Sequence, residues 1–464
     1  MKSFNNKITS ATFLKFSVFG ILLLRLILNA LVPLMDKTEA RYSEIGRLMA
    51  ETENWITPQI DYGVPFWAKP PMSTWFTAFF IKIFGENEFG ARFSSFLIAI
   101  AVILLVSRFV PKDKPKYLAA FILLTLPEFL LHAGVVSTDM SLLICIVLMM
   151  LSFWEIMNNG KKIWGHLFFV AAGFGFLAKG PIVLLLTFPP LIIWTFLFKQ
   201  WSSFFFKFPW ILGILLMIAI SLPWYYFAEK ETPGFLDYFF VGEHFKRYTD
   251  PDWKGDKYGF PKIQPLGIIW AFLVAFALPW IVAVFYQLWK DRKNILKNKW
   301  VAFLVFWAFW TPAFFTVSKS LIHTYTLPSM PALALIVVYY WDKINKPIFV
   351  KLSLILPIVA ALILVTSPFT NAFQKLGNTD KFLISSRTES EIPLYGFQKK
   401  AYSAQFYSHG KIVVVDLPTL EQKIISGEKF HLIIEKKEVE NLSEIVKLSK
   451  IVSENKKKMI LEFD

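Results

Sequence analysis

The chain has 464 residues, 55% of them hydrophobic and 17% aromatic, and a formal charge of +15, with a mean hydropathy of +0.49. So apolar a composition excludes a soluble multidomain protein and points to an α-helical polytopic membrane protein, in which long apolar runs are separated by basic loops. The positive charge does not point to nucleic acid, because the lysines sit largely in short loops between apolar runs, where Lys and Arg set orientation. The one cysteine, Cys145, lies inside an apolar segment and permits no intrachain disulfide.

The N-terminus, with Lys2, Lys7 and Lys15 before an apolar run, imitates a signal peptide. No small-residue cleavage site follows, so it reads as an uncleaved first span over roughly 13–34 with its basic flank inside. Arg25 and Asn29, four residues apart, share a face of that helix, either as a polar contact near a substrate or as a hydrogen bond inside the bundle. The next stretch, MDKTEARYSEIGRLMAETENWITPQIDYGVPFWAKPP, emerges on the outer side. Charge that dense between apolar walls is expensive and usually has chemical work to do. Within it, YSEIGRLMAET carries Ile45, Leu48 and Met49 at helical spacing with charges between. The apolar run that follows, 72–84, is only about thirteen residues where a span needs roughly twenty. Both are predicted to lie in the interface plane, outside.

Ten further spans are predicted at roughly 90–108, 117–134, 139–157, 163–178, 181–198, 208–228, 264–289, 300–317, 325–341 and 348–367, about eleven in all. The loops this puts inside, RFVPKDKPK, NNGKK, FKQWSSFFFK, WKDRKNILKNK and WDKINKPIFVK, are all net basic. Were 72–84 to cross, the same loops would face outward, against the positive-inside rule. The outer side then collects Arg92, VVSTDM with Asp139, LAKGP with Lys179, a long loop with EHFKRY, and VSKSLIHTY with Lys319, His323 and Tyr325. Glu128 and His132, four apart, read as a proton or metal pair or as a satisfied structural contact. A transporter would carry its ionisable groups near mid-membrane on the broken helices of two related halves; here the halves differ and the charges cluster at helix ends. From about residue 371 the chain turns charged, and β-type runs PLYGF, KIVVVDL, FHLIIE and KMILEF alternate with helical stretches such as EVENLSEIVKLSKIV. This divides it into a transmembrane domain, 1–370, and a small α/β domain, 371–464, placed outside by odd parity. YSAQFYSHG, rich in aromatics, is the surface expected to meet the bundle or a sugar.

The outer set has the parts for group transfer from an anionic donor. Asp36, Glu39 and Asp139 are suited to orient an acceptor hydroxyl or take its proton. Arg41, Lys69, Lys179 and Lys319, with the Tyr325 hydroxyl, are suited to hold a phosphate and the charge that grows on it as a bond to it breaks. Each has a plainer reading: the lysines as snorkelling side chains, Asp139 as part of a helix cap with Ser137 and Thr138. A lipid phosphomonoester, with its second pKa about 6, is a tolerable leaving group when paired with cations, so no cofactor is required and a divalent metal is helpful rather than obligatory. His244, beside Glu243, and His323 show no recognisable ligand spacing.

The succession PLMDKTEARYSEIGRLM, NWITPQ, GVPFWAKPP, FGENEFGARF, STDMSLL, FLAKGPIVLLL and SKSLIHTYTLPSMPALAL resembles glycosyltransferase family 39, in the C-type superfamily with the lipid A aminoarabinose transferases and protein O-mannosyltransferases. The resemblance implies a multi-spanning enzyme; a Lys- and Ile-rich, disulfide-free polytopic chain suggests the bacterial inner membrane, and charge bias with odd parity puts the N-terminus in the cytoplasm and the C-terminal domain outside. That enzyme passes a sugar, with inversion, from a polyprenyl phosphate carrier to a lipid, glycan or protein acceptor on the outer face. It places Lys69, Arg41, Lys179 and Tyr325 on the carrier phosphate and the catalytic carboxylate among the acids of the first outer loop. Two departures matter. The aspartate of the Asp-Glu-Thr-Arg motif falls on Thr38, leaving Glu39, which keeps its place relative to Arg41, and the displaced Asp36. The acid of the Phe-Glu-Lys-Pro motif, a metal ligand in the aminoarabinose branch, is Ala68 here, which speaks against a zinc although His244 matches that branch's histidine. The alternative is a non-enzymatic membrane transporter or lipid-handling protein. Glu39→Gln separates the two, since in an enzyme transfer should vanish while carrier binding survives.

Overall fold

In hydrocarbon there is no water to satisfy a backbone, so each apolar run must close its hydrogen bonds within itself as helix. The computed structural model describes residues 7–246, 255, 257–259, 264–371, 373–387, 391–439 and 442–464, apart from the side chain of His244. Its first part runs through α1 (Ala11–Leu31), α2 (Thr38–Thr52), the hairpin β1 (Gln59–Asp61) and β2 (Val64–Pro65), α3 (Met72–Phe84), α4 (Glu88–Ser107), α5 (Leu118–Thr125) and α6 (Pro127–His132). Then come α7 (Thr138–Asn159), α8 (Lys162–Lys179), α9 (Ile182–Leu197), α10 (Trp201–Lys207), α11 (Trp210–Glu231) and a π-helical stretch Asp237–Lys246. The bundle closes with α12 (Ile268–Phe276), α13 (Trp280–Lys290), α14 (Lys299–Phe315), a 3₁₀ turn His323–Ser329 that feeds α15 (Met330–Tyr339), and α16 (Lys346–Ser353) running into α17 (Ile355–Thr370).

The molecule is thus a multi-pass helical membrane protein, but its predicted spans are not all single rods. Among the described residues, five helices are long and apolar enough to cross a membrane: α1, α4, α7, α11 and the α16–α17 run. The expected span 264–289 is instead α12 and α13, bent by 110° at their junction. The expected span 117–134 breaks between α5 and α6, where Leu126 turns extended (φ −78°, ψ 118°). Both breaks precede a proline, Pro279 and Pro127, which has no N–H to offer and forces its predecessor out of the helical region. Helix α3 has the short, non-spanning length expected of it. Helix α2 is helical as predicted yet not laid open at an interface; Glu39 to Ala50 are nearly all buried.

Helix α7 is the central post: 83% of its apolar window is buried, against 17% for α1 and for α16–α17 at the rim. It is antiparallel to α8 across the short loop at Gly160, so the N-terminus of α7 and the C-terminus of α8 meet at one end of the bundle. Beyond the bundle lie α18 (Lys381–Ser385), β3 (Leu394–Phe397), α19 (Tyr402–Tyr407), β4 (Ile412–Val415), α20 (Leu417–Ile425), β5 (Phe430–Glu435), α21 (Ser443–Lys447), β6 (Lys450–Glu454) and β7 (Lys458–Phe463). The strands form one sheet in the order β4-β3-β5-β7-β6, parallel from β4 to β5 and antiparallel through β7 to β6. Alternation on β5 and β7 sends Phe430, Leu432, Met459 and Leu461 to the face under α20, and Ile433 and Ile460 to the face under α18 and α19. The four predicted strands are present. The helix read through KLSKIV is corrected: α21 stops at Lys447, and Ile451 and Val452, β-branched, lie in the edge strand β6.

Candidate active site

Two charged side chains at the shared end of α7 and α8 suit their helix termini, an acid at an N-terminus and a base at a C-terminus. Ser137 caps α7 by accepting from the Asp139 amide at 3.2 Å, which leaves the Asp139 carboxylate to Lys179, whose Nζ donates to Oδ1 at 2.6 Å. The pair is mostly shielded, at 12% and 14% exposure. Lys179 Nζ also lies 5.0 Å from the centre of the Tyr325 ring, which stacks on Phe315 at 4.7 Å. Three predicted residues, Asp139, Lys179 and Tyr325, are therefore brought together from three separate elements. Lys319 is exposed on the loop before them, its carbonyl accepting from Gln264 N at 2.8 Å.

The other two predicted acids have structural partners. Glu39, buried, takes two parallel hydrogen bonds of 2.8 Å from the Arg92 guanidinium, and Glu39 Oε2 also accepts from Met35 N. Arg92 donates as well to the carbonyl oxygens of Asn29, Val32 and Pro33, so it ties α4 to the end of α1. Asp36 accepts from both the amide and the hydroxyl of Ser403 on α19. Burial holds its carboxyl above the usual range in spite of those donors. Arg25 and Asn29 pack against Gly134, with Arg25 Nη2 donating to Leu131 O at 3.0 Å.

Two further predicted cations, Arg41 and Lys69, have partners of their own. Arg41 donates from Nη1 to Tyr258 O at 2.6 Å and sits among the rings of Tyr42, Phe66 and Tyr402, while its buried Nε–H has no hydrogen-bond partner among the described residues. Lys69 Nζ donates to Ala68 O at 2.6 Å and to the buried Glu243 carboxylate at 3.1 Å, and Tyr238 OH donates to the other oxygen of Glu243. A metal fits poorly here: Ala68 offers only its carbonyl, already used by Lys69, and Glu243 is committed to an ammonium and a phenol. Among the described residues no three His, Cys, Asp or Glu side chains gather as ligands. The side chain of His244, and Arg247 and Tyr248 of EHFKRY, lie outside the described residues. Glu243 as the partner of Lys69 was missed from sequence; 174 residues separate them, and no local pattern joins them.

The segment YSAQFYSHG does meet the bundle. Tyr407 OH accepts from Leu34 N at 2.7 Å and donates to Glu88 at 2.8 Å, Gln405 donates to Asp61 at 3.0 Å, and Phe406 enters the apolar cluster of Ala40, Ile45 and Met49. Arg47, fully buried, is held by Glu44, Glu51 and Tyr62 directly under Gly410, whose φ of +74° and lack of a side chain allow that approach.

Residues 13–239 match the family model described as dolichyl-phosphate-mannose-protein mannosyltransferase. The undecaprenyl phosphate-alpha-4-amino-4-deoxy-L-arabinose arabinosyl transferase 2 of Pseudomonas fluorescens (strain Pf0-1) is 28% identical over 309 residues, 64% of this chain and 54% of that protein. The corresponding transferase of Photorhabdus laumondii is 30% identical over 320 residues, 65% of this chain and again 54% of its own length. The chain thus spans about half the length of the curated relatives it matches. The crystal structure of ArnT from Cupriavidus metallidurans bound to undecaprenyl phosphate superposes with a TM-score of 0.78 at 19% identity, covering 98% of both chains. In sequence over residues 13–239 the chain is similar to that mannosyltransferase family, and in fold throughout it is similar to ArnT.

Proposed function

We propose that the protein transfers a sugar from a polyprenyl phosphate carrier to a lipid, glycan or protein acceptor at the outer face of the cytoplasmic membrane. The observation that carries this reading is the contact of Lys179 with both Asp139 and Tyr325 at one end of the bundle. A phosphate arriving there draws Lys179 from Asp139, so that donor binding itself frees the carboxylate to orient the incoming hydroxyl. Lys69 and Arg41, whose Nε–H has an unmet hydrogen bond, serve as further phosphate ligands, and Lys319 lends charge from the exposed loop. Cations aimed at the leaving phosphate stabilise the transition state more than the ground state, because a negative charge grows there as the glycosidic bond breaks. The net basic loops at the opposite end support an outer position for this one.

The test uses sugar-labelled lipid extracted from a deletion strain, in which unused donor accumulates, with deletion-strain envelopes as acceptor. Wild-type protein should move label from the lipid phosphate fraction to the envelope. Lys179→Ala should lower that rate by about a hundredfold or more, the scale of losing one transition-state charge partner. Unimpaired transfer by Lys179→Ala would exclude this site.

A further inference from the structure

Transfer needs a base for the acceptor's proton, and the acids read from the sequence are engaged. Both oxygens of Glu39 accept from Arg92, both of Asp36 accept from Ser403, and Asp139 is paired with Lys179. A second cluster at the same end has a different constitution. Glu128 on α6 is fully buried, and its carboxylate meets two imidazoles: His132 Nδ1 at 3.2 Å, one turn along, and His323 Nδ1 at 3.0 and 3.1 Å, from 195 residues away. His323 is also stacked face to face on Phe276, with centroids 4.3 Å apart and planes within 7°. The ring is therefore fixed by a carboxylate at its edge and a phenyl on its face. A neutral imidazole with Nδ1 on a carboxylate carries its proton there, which leaves the Nε2 lone pair as the basic end. His323 is 34% exposed whereas Glu128 and His132 are sealed, so of the three it is the one an acceptor can reach. His323 opens the 3₁₀ turn that also carries Tyr325, the ring beside Lys179.

We propose that Glu128 and His323 form a carboxylate–imidazole dyad in which His323 Nε2 takes the acceptor's proton and Glu128 holds the ring; the role rests on the transfer reading above. The acceptor O–H bond breaks with its proton passing to Nε2, and its electron pair forms the new bond to the anomeric carbon. The bond from that carbon to the phosphate oxygen breaks with its pair, so the carrier leaves as a phosphate dianion opposite Lys179. The imidazolium is held against Glu128 until its proton passes to water. His323 is the catalytic residue of the pair and Glu128 a positioning residue. Among the described residues the charged groups around His323 are Glu128 and His132 from α6, Asp139 and Lys179 beyond Tyr325, and the exposed Lys319 of its own loop; α12 has no charged side chain and presents Phe276.

The same transfer assay tests the dyad on full-length protein. His323→Gln and His323→Ala should lower kcat by about a hundredfold, the contribution typical of a positioned base, with the KM for donor within twofold. The fall of kcat on the acid side, where a protonated imidazole accepts no proton, should disappear with them. Added imidazole should restore part of the rate of His323→Ala, and Glu128→Gln should lower kcat about tenfold and move the acid limb. Binding of labelled undecaprenyl phosphate, retained within twofold, certifies the fold of each variant; the partly exposed position 323 makes at least the glutamine variant compatible with it. If both His323 variants keep the wild-type kcat and its acid-side fall, the dyad is excluded while the transfer reading stands. If wild-type protein moves no label, the transfer reading fails first and the dyad with it.

Discussion

Glu39 and Arg92 share two parallel hydrogen bonds in a setting that water barely reaches, and a pair of that kind is far costlier to halve than to keep. Glu39→Gln leaves a buried guanidinium without its anion, and is expected to destabilise the protein by about 3–5 kcal/mol. Thermal unfolding in detergent measures this, and Glu39→Gln with Arg92→Gln together should recover much of the loss. An unchanged melting point for the single variant would free Glu39 for a chemical role. Asp139→Asn halves a pair that is nearly as shielded and should also lower the melting point, while on the transfer reading the protein that stays folded should transfer about a hundredfold more slowly. At this scale the sequence was legible as chemistry but not as partnership. Glu39 and Asp139 look alike as acids near helix starts, and only the arrival of Arg92 and Lys179 from other helices tells their settings apart.

Where two elements cross, single small residues decide the distance. A methyl group at Gly46 of α2 would fall 2.5 Å from Thr77 Cγ2 on α3, closer than atoms tolerate. Gly46→Ala is therefore predicted to lower stability by about 1–3 kcal/mol, the usual cost of overpacking, and Thr77→Ser, which removes that methyl, should restore it; equal unfolding temperatures for Gly46→Ala and wild type would contradict the packing. Helix positions in the membrane part were largely readable, because the length of an apolar run is a direct physical requirement of crossing. The bend at Ala277–Pro279 was not, since the run from Ile268 to Trp289 stays apolar across it and a hydropathy average does not register direction. Ile451 and Val452 were misplaced for a related reason: they continue the spacing of Ser443–Lys447, and only pairing with β7 reveals them as strand.

The whole molecule is closed by the α19 contact, and pH should modulate that closure. Asp36 is held above the usual carboxylate range chiefly by burial, then by the charge of Asp380, against the hydrogen bonds of Ser403 and the charge of Lys458. A carboxyl whose folded value exceeds its unfolded value binds more proton in the folded state. Its contribution therefore weakens as pH rises from the ordinary to the raised value and is level above that. Mild acidification should thus protect the C-terminal sheet from protease, and Asp36→Asn, which still accepts from Ser403, should keep docking while removing this dependence; protection indifferent to pH in wild type would refute it. That YSAQFYSHG meets the bundle was readable from its aromatic density, but its partners were not, because Leu34 and Tyr407 are 373 residues apart. That separation has a consequence for biogenesis. Tyr402, which lies over Arg41, and Ser403, which holds Asp36, are translated well after the opening loop, Ser403 367 residues after Asp36. A ribosome that stalls or meets a premature stop between these two points releases a bundle whose mouth was never assembled, so such incomplete copies are expected to lack whatever activity the closed mouth supports.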